Sequence, residues 1–248
     1  MCFLLFFVYG LLQIVVKKGE SMFFVAVKEV CVVLISAVEL LWGVIRFSFL
    51  RRDMITFFGG HAVSSESELG KAACQVAYRM VEEGYGVFTG GGDGIMKEAL
   101  RGAYSAKQDL NIQGKMSIGI VVKHLTEGRS CRYADYFLVV RTFFVRKWLL
   151  MNFSTEFIIF PGGFGTVDEF AEIVTLLNTQ AMDKRKIILY GKEFWSGFLV
   201  WFDQQAIQKG FSDKKSFDLF EVVDSVDEAV SALKQCCENI KGCENIKK

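Results

Sequence analysis

The residues best suited to chemistry lie in Phe157–Phe170, which reads F-I-I-F-P-G-G-F-G-T-V-D-E-F. An apolar run ends in Pro161-Gly162-Gly163, then Gly165 and Thr166 follow, and Glu169 stands three residues past the threonine. Glycines after a strand let backbone N–H groups approach an anion with no Cβ in the way, and the next helix's N-terminus adds partial positive charge. Gly162, Gly163, Gly165 and the Thr166 hydroxyl are thereby placed to hold a phosphate. The same residues also fit a tight β–α turn in which Thr166 and Glu169 form a T-x-x-E capping box. A second glycine cluster, Gly90-Gly91-Gly92-Asp93-Gly94, favours the anion reading. Neither cluster is followed by G-K-[ST], and neither holds G-x-G-x-x-G in register, which argues against a nucleotide triphosphatase or a nicotinamide dehydrogenase.

Arg146 and Lys147 form the other chemical feature. They interrupt a helical stretch otherwise made of Phe143, Phe144, Val145, Trp148, Leu149, Leu150 and Met151. Adjacent cations in such a helix must meet anions or water. Snorkelling to the surface satisfies that need as well as a functional partner does.

The elements that must position these residues alternate in type. Short apolar runs predict strands at Met54–Phe58, Gly86–Thr89, Ser117–Val122, Tyr136–Val140, Glu156–Phe160 and Lys186–Tyr190, with an edge strand at Leu219–Val223. Helical spacing predicts helices over Glu66–Glu83, from Ile95 onward, and over Thr142–Phe153, Thr166–Gln180 and Phe194–Lys209. Gly84 is a C-terminal stop, and Ser225 with Glu228 opens the last helix as a capping box. The tail repeats C-E-N-I-K at Cys237–Lys241 and Cys243–Lys247, where fraying is expected. This alternation implies a Rossmann-like α/β fold, a doubly wound parallel sheet in a three-layer αβα arrangement. Ligands in such folds bind beyond the carboxyl ends of the strands, where strand order reverses. Glycine turns follow three strands, at Gly59-Gly60, Gly90–Gly94 and Gly162–Gly165, so one shared crevice is expected.

Composition narrows the field. The 248 residues carry 29 basic and 28 acidic side chains, a net charge of +1, so no global charge favours nucleic acid. Seven cysteines without a C-x-x-C pair, and two histidines, argue against a zinc site or disulfide framework and for a reducing, cytoplasmic setting. Residues 1–50 read as an apolar helical extension before a catalytic domain over 51–248. Met1–Val16 is shorter than the roughly 20 residues a membrane span needs. It is a membrane tether, a helix packed on the domain, or an upstream extension of a protein starting near Met22. Charges at Lys28, Glu29, Glu39 and Arg46 fit Phe23–Leu50 to a protein surface better than to lipid.

F-F-G-G at 57–60, T-G-G-G-D-G-I-M-K-E-A at 89–99, F-F-V-R-K at 143–147 and P-G-G-F-G-T-V-D-E at 161–169 together resemble the Lonely Guy family, in its longer bacterial branch. Members were long labelled lysine decarboxylases, but characterised ones are nucleoside 5′-monophosphate phosphoribohydrolases. The resemblance covers about Met54 to Phe202 and implies cleavage of the N-glycosidic bond of a purine nucleoside 5′-monophosphate. AMP or a cytokinin riboside monophosphate would yield free base and ribose 5-phosphate. It implies Glu169 and Arg146 as catalytic residues. Substrate contacts would come from Gly90, Gly91, Gly92, Met96, Gly162, Gly163, Gly165 and Thr166, and Lys147 is added as a candidate contact because it neighbours Arg146, with solvent as its other reading. It also implies a homodimer or larger homo-oligomer, and neither metal nor cofactor is required. Departures fall at Gly60-His61-Ala62 and at His124-Leu125-Thr126-Glu127, with Cys131 near the place where an asparagine is usual. The same glycine turn is similar to that of molybdenum-cofactor carriers, so a non-catalytic nucleotide or cofactor carrier is the alternative.

Overall fold

A computed structural model describes residues 22–50, 53–125 and 132–234. Met1–Val16, Thr126, Glu127, Cys131 and the C-E-N-I-K repeats lie outside the described residues. The chain opens with helix α1 (Met22–Ser48) and continues β1 (Met54–Phe58), α2 (Glu68–Glu82), β2 (Gly86–Thr89), α3 (Ile95–Asp109) and β3 (Ser117–Val122). β4 (Tyr136–Val140), α4 (Phe143–Asn152), β5 (Glu156–Ile159), α5 (Phe164–Asn178), β6 (Ile187–Tyr190) and α6 (Lys192–Phe202) follow. A π turn at Asp203–Ile207, a 3-10 turn at Lys214–Leu219 and β7 (Phe220–Val223) lead to helix α7 over 226–234.

The seven strands pair in parallel in the order β4-β3-β2-β1-β5-β6-β7. β1, β2, β3, β5 and β6 are buried along their whole length, as apolar strands covered on both faces must be. One core holds the sheet against α2, α3 and α7, the other against α1, α4, α5 and α6. This is the expected three-layer α/β fold with a helical N-terminal addition. Successive strands step outward from β1 to β4, then the chain returns to the middle as β5 and steps outward the other way. The reversal lies between β1 and β5, whose carboxyl ends carry Gly59-Gly60 and Pro161-Gly162-Gly163.

Helix boundaries depart from expectation at α2, where Ser67 caps a helix that starts at Glu68, and at both ends of α5 and α6. α5 starts at Phe164 with Gly163 as N-cap, so Thr166 lies inside the first turn and does not cap the helix. The capping-box reading of Thr166 and Glu169 is therefore corrected, because a helix that starts on glycine leaves its threonine one turn too late. α6 starts at Lys192, two residues earlier than expected, because Asp224 Oδ1 accepts the Lys192 N–H at 2.9 Å from the far end of β7. It also ends early, at Phe202, where the chain widens into the π turn and Gln208 N–H reaches Asp203 O at 2.9 Å. At α7 the Ser225 hydroxyl accepts the Glu228 N–H, as expected, while Glu228 reaches back to the Asp224 N–H.

α1 lies on the α4 face of the sheet. Phe47 packs against Phe88 and Phe153, and Gly43 leaves room for Leu149, which would meet a Cβ there at 2.6 Å. Glu39 accepts both the backbone N–H (2.9 Å) and the Nε of Arg141 (3.2 Å). Burial works against the Glu39 carboxylate and raises its pKa, with Arg141 opposing the rise.

Candidate active site

Backbone bonds draw the three glycine turns together. Gly60 N–H donates to Pro161 O at 2.9 Å, and Ile95 N–H donates to Gly60 O at 3.1 Å. Glycine is needed where these turns touch. A Cβ on Gly162 would lie 2.2 Å from Thr166 Oγ1 and 2.9 Å from Gly60 N. Gly94 has φ +63°, and a Cβ there would meet Gly60 O at 2.2 Å. The three glycine turns expected to share one crevice are thus joined by backbone contacts at the carboxyl ends of β1, β2 and β5.

The rim of this crevice at α5 is open. Gly163 and Gly165 are exposed, and a Cβ on either would meet nothing within 4 Å. A helix's first-turn N–H groups lack intrahelical acceptors, and glycine at the N-cap brings no side chain to satisfy them. An anion at this turn would meet exposed donors and the positive end of a 15-residue helix. Thr166 is buried beneath it.

Arg146 and Glu169 meet beside the turn. Arg146 sits one turn into α4, which Thr142 caps by accepting the Val145 N–H at 3.5 Å. Its Nη2 donates to Glu169 Oε1 at 3.2 Å, and the two side chains are only 9% and 12% exposed. Burial pushes the Glu169 carboxyl up to about 7, although Arg146 and Lys147 both favour its charged form. The guanidinium lies against Gly90, where a Cβ would fall 2.1 Å from Nη2. Gly90 therefore seats Arg146. Gly91 clears the Phe137 ring, which a Cβ would approach to 2.9 Å, and its N–H donates to Thr89 Oγ1 at 3.0 Å. Gly92 is buried and Met96 half-buried in the adjoining first turn of α3.

Lys147 points elsewhere. Its ammonium pairs with Asp168 at 2.8 Å and with Glu172, tying α4 to the outer side of α5. Burial disfavours that ammonium, but its bonds to the two carboxylates outweigh burial and raise its pKa. The structure thus separates the adjacent cations, one turned inward to Glu169 and one outward. His61 is exposed in the turn after β1, and His124 lies edge-on to Phe143 at 5.7 Å.

Sequence reasoning missed Glu98. This carboxylate is 1% exposed, accepts the Ser65 hydroxyl at 2.7 Å and Arg101 Nε at 2.6 Å, and so ties the loop between β1 and α2 to α3. A signal was present: Glu98 falls on the buried stripe of α3 with Ile95 and Ala99, where a charge must find partners.

Known proteins resemble this chain both in sequence and in fold. The profile of a family described as "Possible lysine decarboxylase" matches residues 96–233. A cytokinin riboside 5′-monophosphate phosphoribohydrolase of Mycobacterium marinum is 26% identical over 172 residues, covering 69% of this chain and 88% of the relative. The Arabidopsis thaliana protein of the same name, LOG2, is 27% identical over 158 residues, covering 63% of this chain and 71% of the relative. Among solved structures, a molybdenum cofactor binding protein from Rippkaea orientalis superposes with a TM-score of 0.56 at 22% identity, over 76% of this chain and 99% of that one. The molybdenum cofactor carrier protein of Chlamydomonas reinhardtii gives 0.52 at 22% identity, over 75% and 98%. These two likenesses establish a common fold and no more. With the profile match running from the first turn of α3 almost to the end of the described residues, over half of the chain, the protein belongs to the Lonely Guy family that this description denotes.

Proposed function

We propose that the protein hydrolyses the N-glycosidic bond of a purine nucleoside 5′-monophosphate, AMP or a cytokinin riboside monophosphate, to free base and ribose 5-phosphate. The observation that carries this reading is the buried Arg146–Glu169 pair beside an open glycine turn at the sheet's reversal point. The 5′-phosphate binds the exposed N–H groups of Gly163 and Gly165 above Thr166, and this remote binding orients the ribose. As the C1′–N bond breaks, its electron pair leaves with the base and positive charge develops on the sugar. The Glu169 carboxylate faces that charge and takes a proton from the water that adds to C1′; this proton passes on to the departing base, which leaves as the neutral free base and returns Glu169 to its carboxylate. A carboxyl at about 7 is well matched to accept a proton near neutral pH. Arg146 fixes the Glu169 carboxylate and keeps part of it ionised. The scheme calls for no metal or organic cofactor, and a cytoplasmic enzyme acting as a homo-oligomer completes the reading.

The glycine turn alone would serve a carrier of a phosphorylated ligand equally well. Incubation of the purified protein with AMP, GMP and CMP, followed by chromatography of the bases, separates the two. Multiple turnovers of free purine base are expected. Nucleotide bound in stoichiometric amount with no base released would favour the carrier.

A further inference from the structure

α1 buries one side against the domain and leaves the other bare. Ser36, Gly43 and Phe47 face the domain, while Val30, Leu34, Leu41 and Ile45 are 57%, 61%, 60% and 45% exposed. Val33 and Trp42, 65% and 55% exposed, widen the same stripe. The helix is long and apolar enough to cross a membrane by length and composition. Its opposite side, however, is fixed to the domain by the Glu39–Arg141 pair and by the contact between Ser36 and Thr142, an arrangement suited to a soluble partner.

As in any helical stripe, the positions mirror one another about a midpoint, here between Ala37 and Val38, and in this helix every mirrored position on the bare side is apolar. Read outward from there, Leu34 has its counterpart in Leu41, Val33 in Trp42 and Val30 in Ile45. We propose that α1 pairs with α1 of a second copy, antiparallel and about a two-fold axis at this midpoint. Leu34 then layers with the partner's Leu41 and Val30 with the partner's Ile45, an arrangement that a self-complementary interface requires. The half-exposed apolar side chains from Val30 to Ile45 offer an area of the same order as the roughly 800 Å² each partner buries in a standard stable interface. The matched family segment, 96–233, does not include α1, and the proposal does not depend on the reaction.

The test uses the full chain in sedimentation velocity with and without L34E/L41E. These exposed positions leave the fold intact, as checked by circular dichroism and by the midpoint of thermal unfolding. The sedimenting mass is expected to halve in the variant. An unchanged mass would overturn the proposal. So would a wild-type protein that is monomeric in buffer and floats with phosphatidylcholine vesicles. Single cysteines define the geometry. Oxidised Ala37→Cys protein should give a disulfide dimer joined at that position. Val30→Cys should not self-link, because its two copies lie about 22 Å apart along the axis at 1.5 Å per residue. Self-linking of both would indicate a parallel pair and contradict the two-fold arrangement.

Discussion

Substituting Glu169 with glutamine separates the cost of the carboxylate from its use. The substitution keeps the side chain's volume and an acceptor oxygen for Arg146 Nη2, now 3.2 Å away, but removes the charge. Loss of a positioned base lowers turnover by about 10²–10⁴-fold, or roughly 3–5 kcal/mol of transition-state stabilisation. The effect on folding has the opposite sign. The folded carboxyl titrates near 7 against an ordinary value of 4.5. Below the ordinary value it is protonated in both states and its contribution to stability is fully present. As pH rises towards 7 the unfolded chain releases the proton while the folded one keeps it, and stability falls. At 1.36 kcal/mol per pH unit this loss reaches about 3 kcal/mol above the folded value. Glutamine escapes it but weakens the bond to Arg146, so a net gain of about 1–2 kcal/mol is expected at pH near 9, and little change near pH 4. Base release from AMP by chromatography, with urea unfolding at the two pH values, measures both effects. Turnover within threefold of wild type would refute the catalytic role, and a loss of stability at high pH would refute the account of burial.

Four further outcomes follow from the same geometry. For wild type, kcat/KM should climb with pH and level off above about 7, as Glu169 ionises; a profile flat from pH 5 to 9 would exclude Glu169 as the base. Gly90→Ala places a methyl group 2.1 Å from Arg146 Nη2, so kcat is expected to fall by about tenfold or more while the phosphate turn stays intact and KM changes little. Gly162→Ala pushes Thr166 and Gly60 apart, and the KM for nucleotide should rise by about tenfold, measured by initial rates. Adenosine, lacking the 5′-phosphate, should show kcat/KM at least about 10³-fold below that of AMP, since remote binding energy orients the sugar.

The strands were legible because a doubly covered parallel sheet needs unbroken apolar runs, and β1, β2, β3 and β4 have the expected bounds, whereas their order across the sheet is visible only in the structure. The start of α6 was not, because a carboxylate more than thirty residues away, Asp224, sets it. The site was legible in its parts. Gly162, Arg146 and Glu169 were visible as types at a spacing, and the fold brings them together. What each glycine does was hidden, since Gly90 is required by a guanidinium 56 residues away and no local pattern shows that approach. The same limit applies to Arg146 and Lys147. Neighbours in sequence, they diverge because α4 turns about 100° per residue, placing one over Gly90 and the other opposite Asp168. The exposed side of α1 was legible as apolar, but only burial shows which half of the helix lacks a partner.

The most direct test of the central claim is a time course of AMP incubated with the purified full chain, quantifying adenine and ribose 5-phosphate together. The account predicts both products in equal amounts, continuing through many turnovers per chain and abolished in the Glu169→Gln protein. AMP recovered intact after prolonged incubation, although demonstrably bound at the glycine turn, would contradict it.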